Sequence, residues 1–381
     1  MTRPAANGPA ANGPASGTST TRSRGIDVLR GVAVALVMAR HAFPDVFPGA
    51  GVVGVVMFFA LSGHLITTGL LDEQDRTGRI AFAAFYRRRA VRLVPALLCW
   101  LVVFSLVVLA LDPLGDRASL PGTWLVASTW TANLPLGVDV SSAAFHLWTL
   151  AGEEQFYLVW PVLVGFALVR GRGAELMAVA VVLCALGLAA TAGWLGPAAD
   201  LAYVLPTSWA VCFVVGGASA LLWRSGPPWV PGPWVQGLAW GSLLVLALLP
   251  VRGSWWTYTV VAPLVAVLAC VLVLAARSDV LHLPNRVPVA GRVGDDWAAA
   301  GVDAMVWLGR RSYAAYLWNY PIALWLRGVD VPLVWDAAAG VALTLVAAEL
   351  SWRGVEQPAS RRWPSRPTSG TAQPVRERDV T

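Results

Sequence analysis

The chain has 381 residues, of which 57% are apolar and only 13% are charged, whereas soluble domains average about 45–50% and about 25%. One water-soluble core cannot hold so much apolar surface, which excludes an ordinary soluble enzyme, a disordered regulator and a small disulfide scaffold. The formal net charge is +6, and every basic residue is an arginine. The absence of lysine also excludes a Schiff-base lysine and a Walker A loop. The arginines recur between apolar runs rather than forming one stripe, so we expect no nucleic-acid partner.

Ten apolar segments follow one another between two polar tails, and each has roughly the 20 residues that a membrane-spanning helix needs. The tails are 1–24, which is rich in Ala, Gly, Pro and Ser, and 356–381; the first has nothing to bury and is expected to be disordered. The sequence therefore predicts an all-α, polytopic membrane protein whose transmembrane domain covers 25–355 and whose solvent is the lipid bilayer. The predicted segments lie near 26–43, 50–70, 91–111, 145–169, 174–195, 201–223, 234–250, 255–276, 304–326 and 333–352.

Arginines are concentrated in alternate loops. The region 76–92 carries six of them, whereas the loops on the other side hold only Arg117, Arg252 and Arg327. By the positive-inside rule, both termini are expected in the cytoplasm. The four cysteines lie inside apolar runs without CxxC spacing, so they are expected to be core residues, and no metal site is expected.

The first segment carries ionisable groups inside an apolar run, which is costly in a membrane and therefore a functional hint. Arg30 and His41 are 11 residues apart, so they lie on nearly the same helix face, about 16 Å apart along the axis. Asp27 shares that face and is placed to pair with Arg30. One interpretation is an anion anchor below a general base, on one wall of a channel. The other is an orientation-setting arginine with an interfacial histidine.

Two further segments carry candidate groups. The run 58–66 contains His64 and follows the small residues Gly49, Gly51 and Gly54, whose simplest role is close helix packing. Arg89 and Arg92 are i,i+3 neighbours at the expected cytoplasmic mouth of the third span. Guanidinium pairs suit phosphate recognition, although the same arginines also suit topology determination or lipid headgroup contact.

The fourth segment opens with two adjacent carboxylates, Glu153 and Glu154. His146, Glu153 and Tyr157 are spaced i, i+7 and i+11, so they share one helix face, and Glu154 points about 100° away. A carboxylate on that face is suited to orienting a histidine or binding an acceptor hydroxyl. A buried structural carboxylate is the alternative.

These motifs and two later ones occur in a fixed order along the chain. They read Asp27-x-x-Arg30-x10-His41, Phe59-x-Leu61-Ser62-Gly63, Arg89-x-x-Arg92-x-x-Pro95, His146-x-Trp148-x-Leu150-x-x-Glu153-Glu154-Gln155-Phe156-Tyr157, Leu308-Gly309-Arg310-Arg311-Ser312-Tyr313 to Tyr316-Leu317-Trp318-Asn319-Tyr320-Pro321, and Ser351-Trp352-Arg353 with Glu356-Gln357-Pro358. In this order, from about 25 to 362, the chain resembles the membrane acyltransferase 3 family. It departs from the family pattern at Asn319, where a histidine is usual, and at His64, where an apolar residue is usual.

The resemblance implies a ten-span O-acyltransferase that moves an acyl group, acetyl by default, from cytoplasmic acyl-CoA to a hydroxyl, often on a sugar. Acyl-CoA is then a co-substrate, and no bound cofactor is implied. We expect His41 to be the general base and Glu153 to orient His41 or the acceptor. The expected binding residues are Arg30, Arg89 and Arg92 for the CoA phosphates, Tyr316 or Asn319 as hydrogen-bond donors, and Asp27, His146 and Tyr157 around them.

The acceptor stays open among envelope glycans, lipid-linked sugars and secreted small molecules. No further domain is expected after the tenth segment, which slightly favours a small or lipid-linked acceptor. A proton-coupled transporter or flippase is the main alternative, because buried His and Glu also suit transport, but no inverted repeat is evident. A membrane glycosyltransferase is a second alternative; its nearest acidic pair, Asp295 and Asp296, is expected in a solvated linker.

Overall fold

The computed structural model describes residues 23–225, 229–278, 281, 293–327 and 332–362, with the backbone alone over 293–298. Within these ranges the chain is helical and contains no β-strand, which confirms the predicted all-α class. Two π-helical turns, Thr257–Val261 and Trp352–Glu356, lead directly into α9 and α13. The helices are α1 (Arg24–Ala42), α2 (Ala50–Thr77), α3 (Phe82–Leu111), α4 (Leu120–Ser128), α5 (Leu147–Val169), α6 (Gly173–Leu195), α7 (Pro206–Ser225), α8 (Pro233–Leu248), α9 (Ala262–Arg277), α10 (Val293–Arg310), α11 (Ser312–Leu326), α12 (Leu333–Ser351) and α13 (Gln357–Arg362).

Several of these helices are long and apolar enough to cross a membrane, so the chain is a multi-pass membrane protein. Each of the ten predicted segments overlaps a described helix, although the count of ten spans and the position of the termini stay predictions. Within the described residues, six stretches meet both the length and the hydropathy of a span: Ala50–Thr77, Phe82–Leu111, Gly173–Leu195, Pro206–Ser225, Thr257–Arg277 and Leu333–Arg362.

The predicted segment 304–326 is not one helix. It is divided at Arg311, whose φ of −105° and ψ of 7° leave the helical range, between α10 and α11. Arg310 pairs with Asp27 on α1, whereas Arg311 pairs with Glu349 on α12. Two adjacent arginines therefore pair with residues on two different helices. The prediction of one continuous span over 304–326 did not include the break between them. Asp295 and Asp296 belong to α10 rather than to a linker.

The region predicted as a tail after residue 355 begins in ordered structure. The helical backbone continues from α12 through a π-helical turn to Arg362, and Glu356 is buried. This extension packs against α3. At the other terminus, residues 1–22 of the predicted disordered tail lie outside the described residues, and α1 already begins at Arg24.

The helices define two ends of the bundle. The side chain of Arg30 on α1 meets Ser312 at the start of α11, and His41 meets Asn319 further along α11. Helices α1 and α11 therefore run in the same direction, and we call their two ends the Arg30 end and the His41 end. Helix α2 leaves the His41 end and α3 returns to it, and α5 starts beside His41 and runs to the Arg30 end.

Helix α2 packs against α7 through glycines. A Cβ on Gly63 would lie 2.1 Å from the Phe213 carbonyl oxygen, and a Cβ on Gly216 would lie 2.1 Å from the Ala60 carbonyl oxygen. Backbones this close leave no room for a side chain, which is the usual role of small residues between membrane helices. The close packing predicted for the small residues before the 58–66 run is confirmed at Gly54, where a Cβ would lie 2.4 Å from the Ala33 carbonyl oxygen.

We expect Gly63→Ala to lower stability, because the added methyl must push α7 away, and such overpacking costs about 1–3 kcal/mol. Gly69→Ala is the matched control on the same helix, since nothing lies within 4 Å of the added Cβ. The measurement is the midpoint of thermal unfolding in one detergent. Equal midpoints for the two variants would contradict the packing described here.

Candidate functional site

A cavity of about 280 Å³ opens between α1, α2, α3, α5 and α11. Four arginines, which we call the cavity arginines, line it together with one glutamate at the opening and one deeper inside. The walls between them are mostly aliphatic and aromatic. The polar and charged lining residues are Arg30, Ser62, Glu73, Arg88, Arg89, Arg92, Thr149, Glu153, Tyr157, Ser312, Tyr313 and Tyr316.

Arg30 is held in place by α11. Its Nε and one terminal nitrogen lie 3.2 Å and 2.9 Å from the Ser312 hydroxyl oxygen, and its guanidinium stands 5.8 Å from the centre of the Phe58 ring. Asp27, one turn earlier on α1, is fully buried and accepts a hydrogen bond of 3.2 Å from Arg310. Asp27 therefore joins α1 to α10 and does not line the cavity.

The cavity arginines on α3 have different partners. The Arg89 guanidinium lies over the Tyr157 ring, with its central carbon 3.6 Å from the ring centre. Arg88 pairs with Glu73 at 3.5 Å, and Arg92 lines the cavity one turn after Arg88. Stacking on an aromatic face leaves the edge nitrogens of a guanidinium available to an anion. The cavity mouth thus presents a concentration of positive charge to its contents.

Deeper in the cavity, Glu153, Ser62 and Tyr157 form one hydrogen-bonded group. Ser62 donates to Glu153 Oε1 over 3.3 Å, and the Tyr157 hydroxyl lies 2.7 Å from Ser62 Oγ and 3.0 Å from Glu153 Oε2. The prediction that Glu153 and Tyr157 share a helix face is confirmed. Glu153 does not hydrogen-bond to His41, however; its carboxylate is held by Ser62 and Tyr157. The hypothesis that Glu153 orients His41 is corrected on this point.

The cavity ends at Tyr316 and Thr149. The Thr149 hydroxyl donates to the Tyr316 oxygen over 2.6 Å, and the Tyr316 hydroxyl lies 3.3 Å from the His146 carbonyl oxygen. His41 is not among the described residues that line the cavity. The expected single channel wall from Arg30 to His41 is therefore interrupted by the Tyr316–Thr149 pair.

His41 lies just beyond that closure, where it is partly exposed. Its Nδ1 is 2.6 Å from Asn319 Oδ1. Asn319 is three residues after Tyr316 on α11, a rise of about 4.5 Å, so the His41 ring lies about one helical turn past the end of the cavity. Asn319 donates from Nδ2 to Thr344 Oγ1 over 3.3 Å, and Thr344 in turn donates to the Gly340 carbonyl over 2.7 Å.

His146 and His41 contact the same aromatic side chain from different elements. Their ring centres lie 5.5 Å and 5.0 Å from that of Tyr320. His146 immediately precedes α5 and is buried, with its ring also 5.8 Å from Tyr316. A chain of rings from Tyr316 through His146 and Tyr320 thus separates the cavity from His41.

Glu356 lies close to the cavity arginines, although the sequence motifs include it only in the closing motif. It is buried beside α3, where its carboxyl group interacts electrostatically with Arg92 and Arg30. A buried acid near two cavity arginines offsets their mutual repulsion. The motif Glu356-Gln357-Pro358, the last of the sequence motifs, could have identified Glu356 as a candidate. Ser62, Ser312 and Arg88 were likewise not predicted as site residues.

Metal ligands are not clustered in this site. Over the part of the chain that the structure describes, no group of three or more His, Cys, Asp or Glu side chains is placed to hold a metal ion. The cavity instead contains four arginines and a buried carboxylate, with His41 just beyond its end. Groups of these types are suited to acid–base and acyl-transfer chemistry.

This helical architecture defines a multi-pass membrane protein whose helices enclose a cavity lined by four arginines. A family model described as "Acyltransferase domain" matches residues 23–352. The chain belongs to that family, and the resemblance found in the sequence is confirmed.

Three curated bacterial proteins are similar over most of this chain. The putative peptidoglycan O-acetyltransferase YrhL of Bacillus subtilis (strain 168) is 28% identical over 88% of this chain and 54% of its own length. The peptidoglycan O-acetyltransferase OatA of Listeria monocytogenes is 28% identical, covering 87% and 55%, and the O-acetyltransferase OatA of Staphylococcus aureus (strain NCTC 8325 / PS 47) is 26% identical, covering 89% and 57%. The chain thus spans about half the length of these relatives. No solved structure matches it.

Proposed function

We propose that the protein is an integral membrane O-acyltransferase that moves a short acyl group, acetyl by default, from cytoplasmic acyl-CoA to a hydroxyl of a sugar-containing acceptor. The observation that carries this proposal is the cavity with four arginines at one end and the His41–Asn319 pair one helical turn beyond the other end. Membership of the acyltransferase-domain family supports the reaction class. The names of the O-acetyltransferase relatives support acetyl as the group transferred.

The donor end of the proposed site is the Arg30 end. Phosphates of CoA would bind the cavity arginines, because guanidinium groups recognise phosphate with paired, charge-assisted hydrogen bonds. At about 280 Å³, the cavity lies near the lower limit of ligand pockets, about 300 Å³. It is therefore suited to the narrow pantetheine arm, with the nucleotide held outside at the mouth. The acyl group then reaches the level of Tyr316.

The partners of His41 favour its role as the base. Asn319 donates from its nitrogen to Thr344, so its carbonyl oxygen faces His41 and can only accept. His41 Nδ1 must then carry the hydrogen, which leaves Nε2 with the lone pair that takes a proton. A neutral histidine oriented by an amide in this way is a suitable general base for an alcohol.

The reaction balances with these groups alone. The acceptor oxygen forms a bond with the acyl carbon while its proton passes to His41 Nε2. The carbon–sulfur bond then breaks, and His41 returns that proton to the leaving sulfur, so that CoA leaves as the thiol and the histidine is neutral again. The developing oxyanion needs hydrogen-bond donors near the acyl carbon, and the hydroxyls of Tyr316 and Thr149 are the donors at the end of the cavity. Donor and acceptor would approach from opposite ends, so the Tyr316–Thr149 pair must separate before transfer.

The acceptor is proposed as an envelope glycan, a lipid-linked sugar or a sugar-containing small molecule. The names of two relatives include the word peptidoglycan, which supports a glycan as the acceptor. The transporter alternative would use the same buried His and Glu. No contact within the described residues favours transport over acyl transfer.

We expect Asn319→Ala to lower kcat about 10-fold or more, because the His41 ring loses the group that fixes its tautomer. The KM for acetyl-CoA should change less than about twofold, since Asn319 does not line the cavity and its role is positional. Asn319→Asp should retain more activity, because a carboxylate still accepts from Nδ1.

The control for Asn319 is Asn133→Ala, which removes another buried asparagine, one that bonds with Gln155. Steady-state release of CoA in lipid nanodiscs measures all three variants. A wild-type kcat for Asn319→Ala would remove Asn319 from the proposed mechanism.

A further inference from the structure

We propose that the His41 end contains a binding site for an anionic carbohydrate, built from Arg40, Arg252 and Arg327 around two tyrosines. This inference rests on the proposed function, because it names the chemical class of the acceptor that approaches His41. The anion would be a phosphate or a carboxylate on the sugar, since a guanidinium recognises both.

Three arginines converge at this end from three separate elements. Arg40 is in the last turn of α1, next to His41; Arg252 lies between α8 and α9, and Arg327 directly follows α11. Arg40 interacts electrostatically with both of the others, and all three act on the Tyr320 hydroxyl. Their charges are therefore directed at one small region beside the proposed base.

Aromatic rings form the floor of that region. The Arg252 guanidinium lies 4.1 Å from the centre of the Tyr203 ring. Phe145 lies nearly parallel to Tyr203, with ring centres 6.3 Å apart and an angle of 9°, and Phe145 is 37% exposed. The rings of Phe145 and Tyr320 are 6.1 Å apart. Aromatic faces beside hydrogen-bonding groups suit a sugar, which has an apolar C–H face and a polar rim.

Structural roles account for only part of this cluster. Arg327 donates to the His41 carbonyl over 2.6 Å and so caps the end of α1. Arg252 faces Asp200 at 3.9 Å, but both side chains are well exposed, 47% and 69%, and an ion pair of that kind contributes little. Arg40 is half-buried, is near exposed Asp45, and makes no hydrogen bond or ion pair with any residue that the structure describes.

The topology makes these charges harder to explain without a ligand. Under the predicted orientation, Arg252 and Arg327 are on the side of the membrane where arginine is rare. Two of the few arginines on that side lie beside the proposed base. Their position therefore indicates a functional role. The charged group of the acceptor would bind here, at a distance from the reacting hydroxyl. The free energy of that contact would help to orient the hydroxyl.

The test measures the binding of three monosaccharides to the full chain in zwitterionic nanodiscs, with ligand-observed NMR as the method of detection. The probes are N-acetylglucosamine 1-phosphate, glucuronic acid and uncharged N-acetylglucosamine, which separate phosphate, carboxylate and neutral sugars. The proteins are the wild type, Arg40→Gln/Arg252→Gln, and the control Arg117→Gln, whose arginine is near Asp112 instead. Glutamine retains hydrogen-bonding capacity, and Arg327 is left intact because it caps α1.

We expect at least one anionic sugar to bind about tenfold or more tightly than the neutral sugar, and the double variant to lose that preference while Arg117→Gln keeps it. A further variant, Arg89→Gln/Arg92→Gln, should retain the preference, because its changes are in the cavity at the Arg30 end and not at the His41 end. Loss in that variant would place the anion in the cavity and overturn the inference. Equal binding of neutral and anionic sugars, or no binding, would also overturn it. These measurements involve no acyl transfer, so their outcome does not depend on whether the proposed donor site is correct. The donor site is tested separately, by measuring CoA binding to Arg89→Gln/Arg92→Gln.

Discussion

Replacing His41 with alanine is expected to lower acyl transfer by about 10²–10⁴-fold, the usual effect of losing a general base. The loss should appear in kcat, because His41 contacts Asn319 and Tyr320 rather than the cavity lining. Binding of CoA should stay within about twofold of the wild type for the same reason. The measurements are CoA release at saturating acetyl-CoA, with mixed glycan and lipid acceptors, and calorimetric titration with CoA.

Retained CoA binding is itself the control for folding of His41→Ala, and thermal unfolding provides a second one. His41→Gln is a useful companion, because glutamine keeps a hydrogen-bonding group near Asn319 but takes no proton at neutral pH. Both variants should be equally inactive. Near-wild-type transfer by either variant would end the assignment of His41 as the base.

Arg89→Gln is expected to raise the KM for acetyl-CoA about 10- to 100-fold, the range for losing one charge-assisted hydrogen bond to a phosphate. The rate at saturating donor should fall much less, because Arg89 is at the mouth and not at the reacting carbon. Arg89 stacks on Tyr157, which also contacts Glu153. We therefore expect Arg89→Lys to recover only part of the affinity, since lysine keeps the charge but does not stack or bind two oxygens.

The matched control for Arg89 is Arg87→Gln, two residues earlier on α3. Arg87 is exposed and does not line the cavity, so its replacement removes the same charge from the same end of the bundle. If donor affinity depends only on overall positive charge, both variants will lose the same amount. An unchanged KM for Arg89→Gln would remove the proposed phosphate role of this residue.

Sequence patterns predicted the features that depend on local geometry. Apolar runs and their length predicted the helices, and the i, i+4 spacing of Glu153 and Tyr157 placed their side chains together, as their hydrogen bond confirms. The arginines of α3 were likewise predicted at one mouth, where Arg89 and Arg92 line the cavity. Helical periodicity fixes such relations because neighbouring residues on one helix cannot move apart.

The relations between distant residues could not be read from periodicity. His41 and Asn319 are separated by 278 positions, and the departure of Asn319 from the family pattern drew attention to it without indicating its partner. The closure between Tyr316 and Thr149 depends on how α11 approaches α5. The break at Arg311 similarly depends on Asp27 and Glu349, which lie on two other helices.

The proposed mechanism requires acyl-CoA as the donor, entering from the Arg30 end. Release of free CoA from a panel of short acyl-CoAs by the purified wild-type protein tests this requirement, with His41→Ala beside it and mixed glycan and lipid acceptors present. We expect release by the wild type, fastest with acetyl-CoA, and at least about 100-fold less by His41→Ala. No release from any donor would contradict the claim, and equal release by both proteins would keep the donor but remove His41 from the mechanism.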